Sequence, residues 1–299
     1  MPGAAPALRV GLVGVGNMGS AMAARLLGLG WPVAVRDIDA QRERDAAALG
    51  AAVCATPAEL AARSDCAIVC VVDAAQTKTV LFGAGGLMDA LGPGAGVLLC
   101  PTIAPDETER FARQLARRGV ACIDAPMSGG PARARDGTMS LMVACDDAAF
   151  ERHRALLDAL STKLFRIGTR PGDGARTKLV NNLLAGINLA GACEAMALAE
   201  RLGLDAERTL DVIEQSSGQS WIASDRLRRA LAGNFAAKAH TTLLAKDTRL
   251  AVDMAKSAGF APALGGVAAG QFTRACEDGF AGMDDASLLA WLREQQGDR

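Results

Sequence analysis

Short apolar runs alternate with segments of helical period through the first half of the chain. Leu8–Val13 has the length and composition of a buried strand, and Met18–Leu29 carries its apolar residues at helical spacing. Val33–Asp37 returns to the strand pattern. Thr56-Pro57-Ala58-Glu59 marks a helix start, with Thr as N-cap, Pro at the first helical position and Glu at the third. Cys66–Val72, Gly96–Leu99, Val120–Asp124, Met139–Ala144 and Leu164–Ile167 continue the strands, with a helix over Pro105–Arg118 among them. Such alternation predicts an α/β fold: a doubly wound, mostly parallel sheet with helices on both faces.

The pattern changes after Gly168. A turn-rich stretch, Gly168 to Gly174, divides the chain into residues 1–170 and an all-helical domain over 171–299. The second domain is expected to open on a long helix, about Arg176–Arg201, with Gly203 just past its end. At 1.5 Å per residue this helix is roughly 40 Å long. It is apolar nearly all round, so other protein must cover it. Helices over Ala206–Gln215, Asp225–Leu231 and Thr242–Ala258 follow, with one or two more up to Arg293.

Composition narrows the function. The 299 residues are 50% hydrophobic and 22% charged, and the formal net charge is −1. No basic run suggests a nucleic-acid partner; Arg226-Leu227-Arg228-Arg229 reads as a solvated helix face. Eight cysteines without a Cys-x-x-Cys, several inside strand-like runs, fit free thiols in a reducing compartment. Two histidines, His153 and His240, cannot build a multi-histidine metal site, and no metal is expected. The first nine residues lack a signal h-region. The longest apolar stretch, Leu183–Ala199, carries Asn188 and Glu194 and is a poor membrane span. A cytoplasmic protein is expected.

The strongest chemical signal is Gly14-Val15-Gly16-Asn17-Met18-Gly19, between a strand and a helix as a dinucleotide fingerprint requires. Gly14 permits the tight turn, Gly16 the approach of the backbone to the pyrophosphate, and Gly19 the close packing of helix on strand. Asn17 and Met18 open the helix, whose N-terminal N–H groups attract phosphate. Asp37 ends the second strand, where a carboxylate accepts the ribose hydroxyls of NAD and repels the 2′-phosphate of NADP. Arg36 beside it argues the other way, so NAD is the expected cofactor and NADP a permitted one. Next, Asp124-Ala125-Pro126-Met127-Ser128-Gly129-Gly130-Pro131 follows a strand. Its Ser128 hydroxyl and the N–H groups of Gly129 and Gly130 suit a carboxylate, although locally a plain turn reads as well. Lys178 and Asn182 share a helix face. Desolvation of Lys178 would let it exchange a proton near neutrality, with Asn182 on the same hydroxyl oxygen; a surface lysine beside a packing asparagine is the local alternative. Lys246-Asp247 alone reads as a solvated pair.

Together these four motifs, in this order and at these spacings, resemble the 3-hydroxyisobutyrate dehydrogenase-like family of β-hydroxy acid dehydrogenases over about residues 8 to 293. The resemblance implies a Rossmann-like N-terminal domain, a helical second domain and a homodimer or homotetramer. It implies catalysis by Lys178 with Asn182 orienting substrate, and carboxylate binding by Ser128, Gly129 and Gly130. It also implies that Val72, Asp73 and Thr102 touch the cofactor, that Lys246 lines the nicotinamide site, and that Trp221 falls in the substrate pocket or in the core. Two positions depart from the family pattern. Pro101-Thr102 replaces a Ser-Thr pair, and Ala239, beside His240, stands where a phenylalanine is common; the pocket wall is accordingly unusual.

The expected activity is hydride transfer between a small β-hydroxy acid, or its semialdehyde or keto form, and NAD. Candidate substrates are 3-hydroxyisobutyrate, L-serine-like 3-hydroxy acids, glycerate and threonate. An NADPH-dependent semialdehyde or glyoxylate-type reductase of the same family is the nearest alternative. An inactive cofactor-binding scaffold would be expected to have lost Lys178 or the Ser128 loop. A decarboxylating 6-phosphogluconate dehydrogenase would be longer and carry His where Asn181 stands, and an imine reductase would usually lack Lys178.

Overall fold

Strand residues alternate between two apolar cores, one on each face of a nine-stranded sheet. The structure is a computed structural model describing residues 8–297; most of the segment read for a targeting sequence lies outside those residues. The elements run β1 (Val10–Val13), α1 (Asn17–Gly28), β2 (Val33–Arg36), α2 (Ala40–Ala48), β3 (Ala52–Val53), α3 (Pro57–Ala62), β4 (Cys66–Val69), α4 (Ala74–Phe82), β5 (Gly96–Leu99), α5 (Pro105–Ala116), β6 (Ala121–Asp124), β7 (Met127–Ser128), α6 (Gly130–Asp136), β8 (Ser140–Ala144), α7 (Asp147–Leu160) and β9 (Lys163–Gly168). The sheet order is β3-β2-β1-β4-β5-β6-β8-β7, with β9 on β8. From β3 to β6 every pairing is parallel; β8 is antiparallel to β6 and β7. The chain winds outward from β1 in both directions, which puts a topological switch point between β1 and β4.

Val10, Leu12, Val33, Val35, Ile68 and Leu98 pack with Met22 and Leu26 of α1 and with α7. Their strand neighbours Val13, Ala34, Ala67, Val69, Val97 and Leu99 pack with Leu60, Leu81 and Phe111 on the other face. Period-two alternation in strands buried on both sides produces this division. The start of α3 is as expected: the Thr56 hydroxyl accepts the Glu59 N–H at 3.1 Å. The Glu59 carboxylate returns to the Ala55 N–H at 2.8 Å, one residue earlier than a capping box requires.

The second unit takes in α8 (Asp173–Arg201) from Leu179 onward, α9 (Ala206–Glu214), α10 (Trp221–Leu231), α11 (Thr241–Ser257), α12 (Ala263–Ala275) and α13 (Leu288–Gly297). Leu189, Cys193, Met196, Leu210, Leu227, Phe272, Leu289 and Trp291 form its core. The first compact unit extends to Lys178, inside α8, and the second begins at Leu179; the tethers that hold the start of α8 in the first unit are described below. One expectation needs correction. The Arg226–Arg229 segment is not a solvated face. Arg226 and Arg229 lie three apart, on one side of α10, and turn inward to the buried Asp284 and Asp285; only Arg228 is half exposed. Burial raises the Asp285 carboxyl to about 6, against the opposing pull of Arg226.

With 29 residues, α8 is long and apolar enough to cross a membrane, yet 44% of its most apolar window is buried within the protein. Val180, Leu184 and Leu198 on this helix are more than half exposed.

Candidate active site

The glycine-rich turn joins β1 to α1 at the carboxyl end of the sheet. Gly14 has φ +91°, and a Cβ there would stand 2.5 Å from the Cys70 carbonyl oxygen. A Cβ on Gly19 would stand 1.9 Å from the Gly14 oxygen, so α1 can sit this close to β1 only with glycine at that position. Gly16 is the N-cap of α1, with no side chain capping the helix and no acidic residue in its first turn. Backbone N–H groups at such a terminus suit a pyrophosphate.

Asp37 is 7% exposed. One carboxylate oxygen accepts the Val15 N–H at 2.7 Å and the other the Asp39 N–H at 2.9 Å. These two bonds fix the carboxylate beside the turn and leave each oxygen a lone pair for a hydroxyl donor. Val72 and Asp73 follow β4, and Thr102 follows β5. Asp73 caps α4 by accepting the Gln76 N–H at 2.8 Å, and the Gln76 side chain accepts the Val72 N–H at 3.1 Å, a reciprocal cap that rigidifies this turn.

The second loop places Ser128 in β7, paired with Ser140 of β8. Gly129 and Gly130 follow with φ +129° and +75°. Both angles lie where side chains are rarely tolerated, so this loop is built on glycine.

Asp124, at the end of β6, ties α8 to the sheet. Its carboxylate accepts the Gly172 N–H at 2.7 Å and the Ala175 N–H at 3.1 Å. Burial raises this carboxyl to about 6, against the lowering effect of the Ala175, Gly172 and Gly174 N–H groups. An Arg176–Glu109 ion pair at 2.6 Å joins the same turn of α8 to α5. Lys178, three residues beyond Ala175, is 8% exposed. A carboxyl whose folded pKa is raised favours folding below its unfolded value, near 4, and loses that contribution as pH rises through about 6. The stability advantage of wild type over Asp124→Asn is therefore expected to shrink by roughly 1 kcal/mol between pH 5 and pH 7. Urea denaturation at the two pH values reads it, and a pH-independent difference would contradict the assignment.

In the second unit, Asn182 is 8% exposed and donates to Asp247 at 2.6 Å while accepting from Asn181 at 3.0 Å. Lys246 pairs with the other Asp247 oxygen at 2.6 Å. Lys246-Asp247 is thus a partly buried part of a polar network, not the solvated pair its local sequence suggests, and Asp247 bridges Lys246 and Asn182. Asn182 and Asp247 lie 65 positions apart, so no local signal could have joined them. Trp221, first residue of α10, is 44% exposed and is not a core residue. A surface depression of about 700 Å³ between α7 and β9 contains none of these groups, and its arginines are committed to Asp158 and Asp147.

Residues 9–168 match the NAD binding domain of 6-phosphogluconate dehydrogenase, and residues 172–292 the NAD-binding domain of NADP-dependent 3-hydroxyisobutyrate dehydrogenase. The chain is 36% identical to L-threonate dehydrogenase of Cupriavidus necator over 94% of both proteins. It is 30% identical to mitochondrial 3-hydroxyisobutyrate dehydrogenase of Mus musculus, over 96% of this chain and 88% of that one. A crystal structure of 3-hydroxyisobutyrate dehydrogenase from Salmonella typhimurium superposes with a TM-score of 0.89 at 33% identity, covering 95% of this chain and 99% of the other. The dinucleotide turn, the mostly parallel sheet, the helical second unit and these likenesses agree: the chain belongs to the 3-hydroxyisobutyrate dehydrogenase-like family and is an NAD(P)-dependent dehydrogenase of small hydroxy acids.

Proposed function

We propose that this enzyme oxidises a short polyhydroxy acid of the L-threonate type, prefers NAD, and uses Lys178 as its general acid/base. The carrying observation is a lysine 8% exposed on a helix whose first turn is tethered by Asp124 and Arg176. An anchored helix keeps the Lys178 amine in one place, as a group that must meet a substrate hydroxyl requires. The L-threonate dehydrogenase likeness supports the substrate class.

The Gly14–Gly19 turn and the start of α1 hold the pyrophosphate, and Asp37 accepts the ribose hydroxyls. A bound nicotinamide supplies the hydride acceptor. Ser128 and the N–H groups of Gly129 and Gly130 hold the substrate carboxylate. Lys178 takes the hydroxyl proton at Nζ in oxidation and returns it in reduction.

A panel of L-threonate, 3-hydroxyisobutyrate, L-serine and glycerate, each with NAD and NADP, tests the reading. The highest kcat/KM is expected for L-threonate with NAD. No nicotinamide reduction with any hydroxy acid would refute the proposed chemistry, and equal or better turnover with NADP would remove Asp37 as the ribose ligand. We also propose a homodimer or homotetramer, supported by the exposed Val180, Leu184 and Leu198 of α8; a stable monomer by light scattering at micromolar concentration would count against it. Eight free cysteines support a cytoplasmic location, which recovery of the protein from an exported fraction would disprove.

A further inference from the structure

Asp37 is flanked by two arginines, and the structure treats them differently. Arg36 ends β2. Its Nη1 contacts the carbonyl oxygen of Asp37 and lies 2.7 Å from Oε1 of Glu43. The same Glu43 oxygen accepts the Asp37 N–H at 3.1 Å. The side chains of Arg36 and Glu43 are only 26% and 16% exposed. A fully exposed ion pair would hold an arginine weakly; here the pair is partly shielded, and each member also bonds the Asp37 backbone, Arg36 donating to its carbonyl oxygen and Glu43 accepting its N–H. Glu43 also stands in the first turn of α2, where the helix dipole favours a carboxylate. The glutamate is thus held in place by more than its partner.

Arg42 is placed otherwise. Its side chain is half exposed, its nearest acid is Asp39 at 3.5 Å, and its Nη1 lies 2.8 Å from where a Cβ on Gly16 would stand. Arg42 therefore lies over the glycine-rich turn, whereas Arg36 is directed to Glu43.

Resting on the NAD reading above, we propose that Glu43 determines nucleotide specificity: by holding Arg36 in an ion pair it withholds the cation that a 2′-phosphate beside Asp37 would need. An arginine is the side chain best suited to that phosphate, through charge-assisted paired hydrogen bonds. With Glu43 present, Arg36 can reach a phosphate only by leaving a carboxylate behind, and that carboxylate then adds to the repulsion from Asp37. NAD, which brings no phosphate to this position, is unaffected.

Calorimetric titration of the full-length enzyme with NAD and with NADP, without substrate, tests this apart from turnover. Glu43→Gln keeps the size of the side chain and an acceptor for the Asp37 N–H. It is expected to tighten NADP binding about tenfold while moving NAD by less than about threefold. Glu43→Asp, which withdraws the carboxylate by one methylene, should give a smaller gain of the same sign. Arg36→Met alone should leave NADP binding within about threefold of wild type, because Arg36 is already engaged, and in the Glu43→Gln background it should erase the gain. Retained NAD binding shows that each variant is folded. No NADP gain in either Glu43 variant, a gain that survives Arg36→Met, or a gain erased instead by Arg42→Met would each overturn the proposal. Wild type that bound neither dinucleotide would overturn the functional reading itself.

Discussion

Lys178→Ala is expected to lower kcat by about 10²–10⁴-fold, the range that general acid–base catalysis supplies, while dinucleotide affinity stays within about twofold of wild type. The separation follows from the fold. The pyrophosphate turn is built on β1 and α1, and its geometry depends on Gly14, Gly19 and the Asp37 clamp, none of which involves α8. Lys178→Arg discriminates between two roles for the amine. Arginine keeps the positive charge but cannot release its proton. If Lys178 served only to attract the substrate electrostatically, the arginine variant would recover activity. As a proton carrier it should remain as impaired as the alanine variant. A Lys178→Ala enzyme with a tenth of wild-type kcat would exclude Lys178 as the acid/base, whatever its affinity for the dinucleotide.

The second large effect is expected from a single methyl group. Gly19→Ala places a Cβ 1.9 Å from the Gly14 carbonyl oxygen and 2.9 Å from its carbon. Both are backbone atoms, so no side chain can rotate away, and α1 must move off β1 or the turn must open. Overpacking of this kind costs about 1–3 kcal/mol, and the rigidity of both partners puts this case at the upper end. Dinucleotide binding should be lost with it, because the displaced atoms form the turn that would hold the pyrophosphate. Gly28→Ala is the matched control at the far end of the same helix. A Cβ there meets nothing within 4 Å, and replacing a helical glycine by alanine is worth about 0.5–1 kcal/mol in the opposite direction. Urea midpoints and an NAD titration for the two variants read both effects. Equal midpoints would show that the sterics at Gly19 do not limit the fold.

Most of this architecture could be read from the chain because its signals are local. The Gly14–Gly19 turn, the Thr56 cap and the apolar runs of β4 and β5 each declare themselves within a few residues. Element ends were less legible. Val71 and Val72 extend an apolar run beyond the last paired residue of β4, and the two-residue β7 is too short to show a period. The start of α10 was missed because Trp221–Ser224 is not amphipathic by itself; the Ser220 hydroxyl, accepting the Ala223 N–H at 3.3 Å, sets it. Residues that support the proposed site were the least legible. Asp124 meets Gly172 and Ala175 from 48 and 51 positions away. Glu43 is closer, but it looks like any acid in the first turn of a helix until Arg36 is seen to reach it. Polar contacts between distant segments leave no periodicity, and burial alone cannot say which acid meets which donor.

The cysteines bear on how such an enzyme survives its own chemistry. Oxidising a hydroxy acid yields an aldehyde or a ketone, and a thiolate adds readily to an activated carbonyl. Cys66 and Cys145 are both buried, and burial pushes their thiols to about 12 and about 11. At neutral pH only about one molecule in 10⁴ to 10⁵ carries either as thiolate, from the gap between those values and 7. Neither sulfur therefore offers a ready nucleophile to a carbonyl product, and at these two buried positions cysteine serves as a small packing residue.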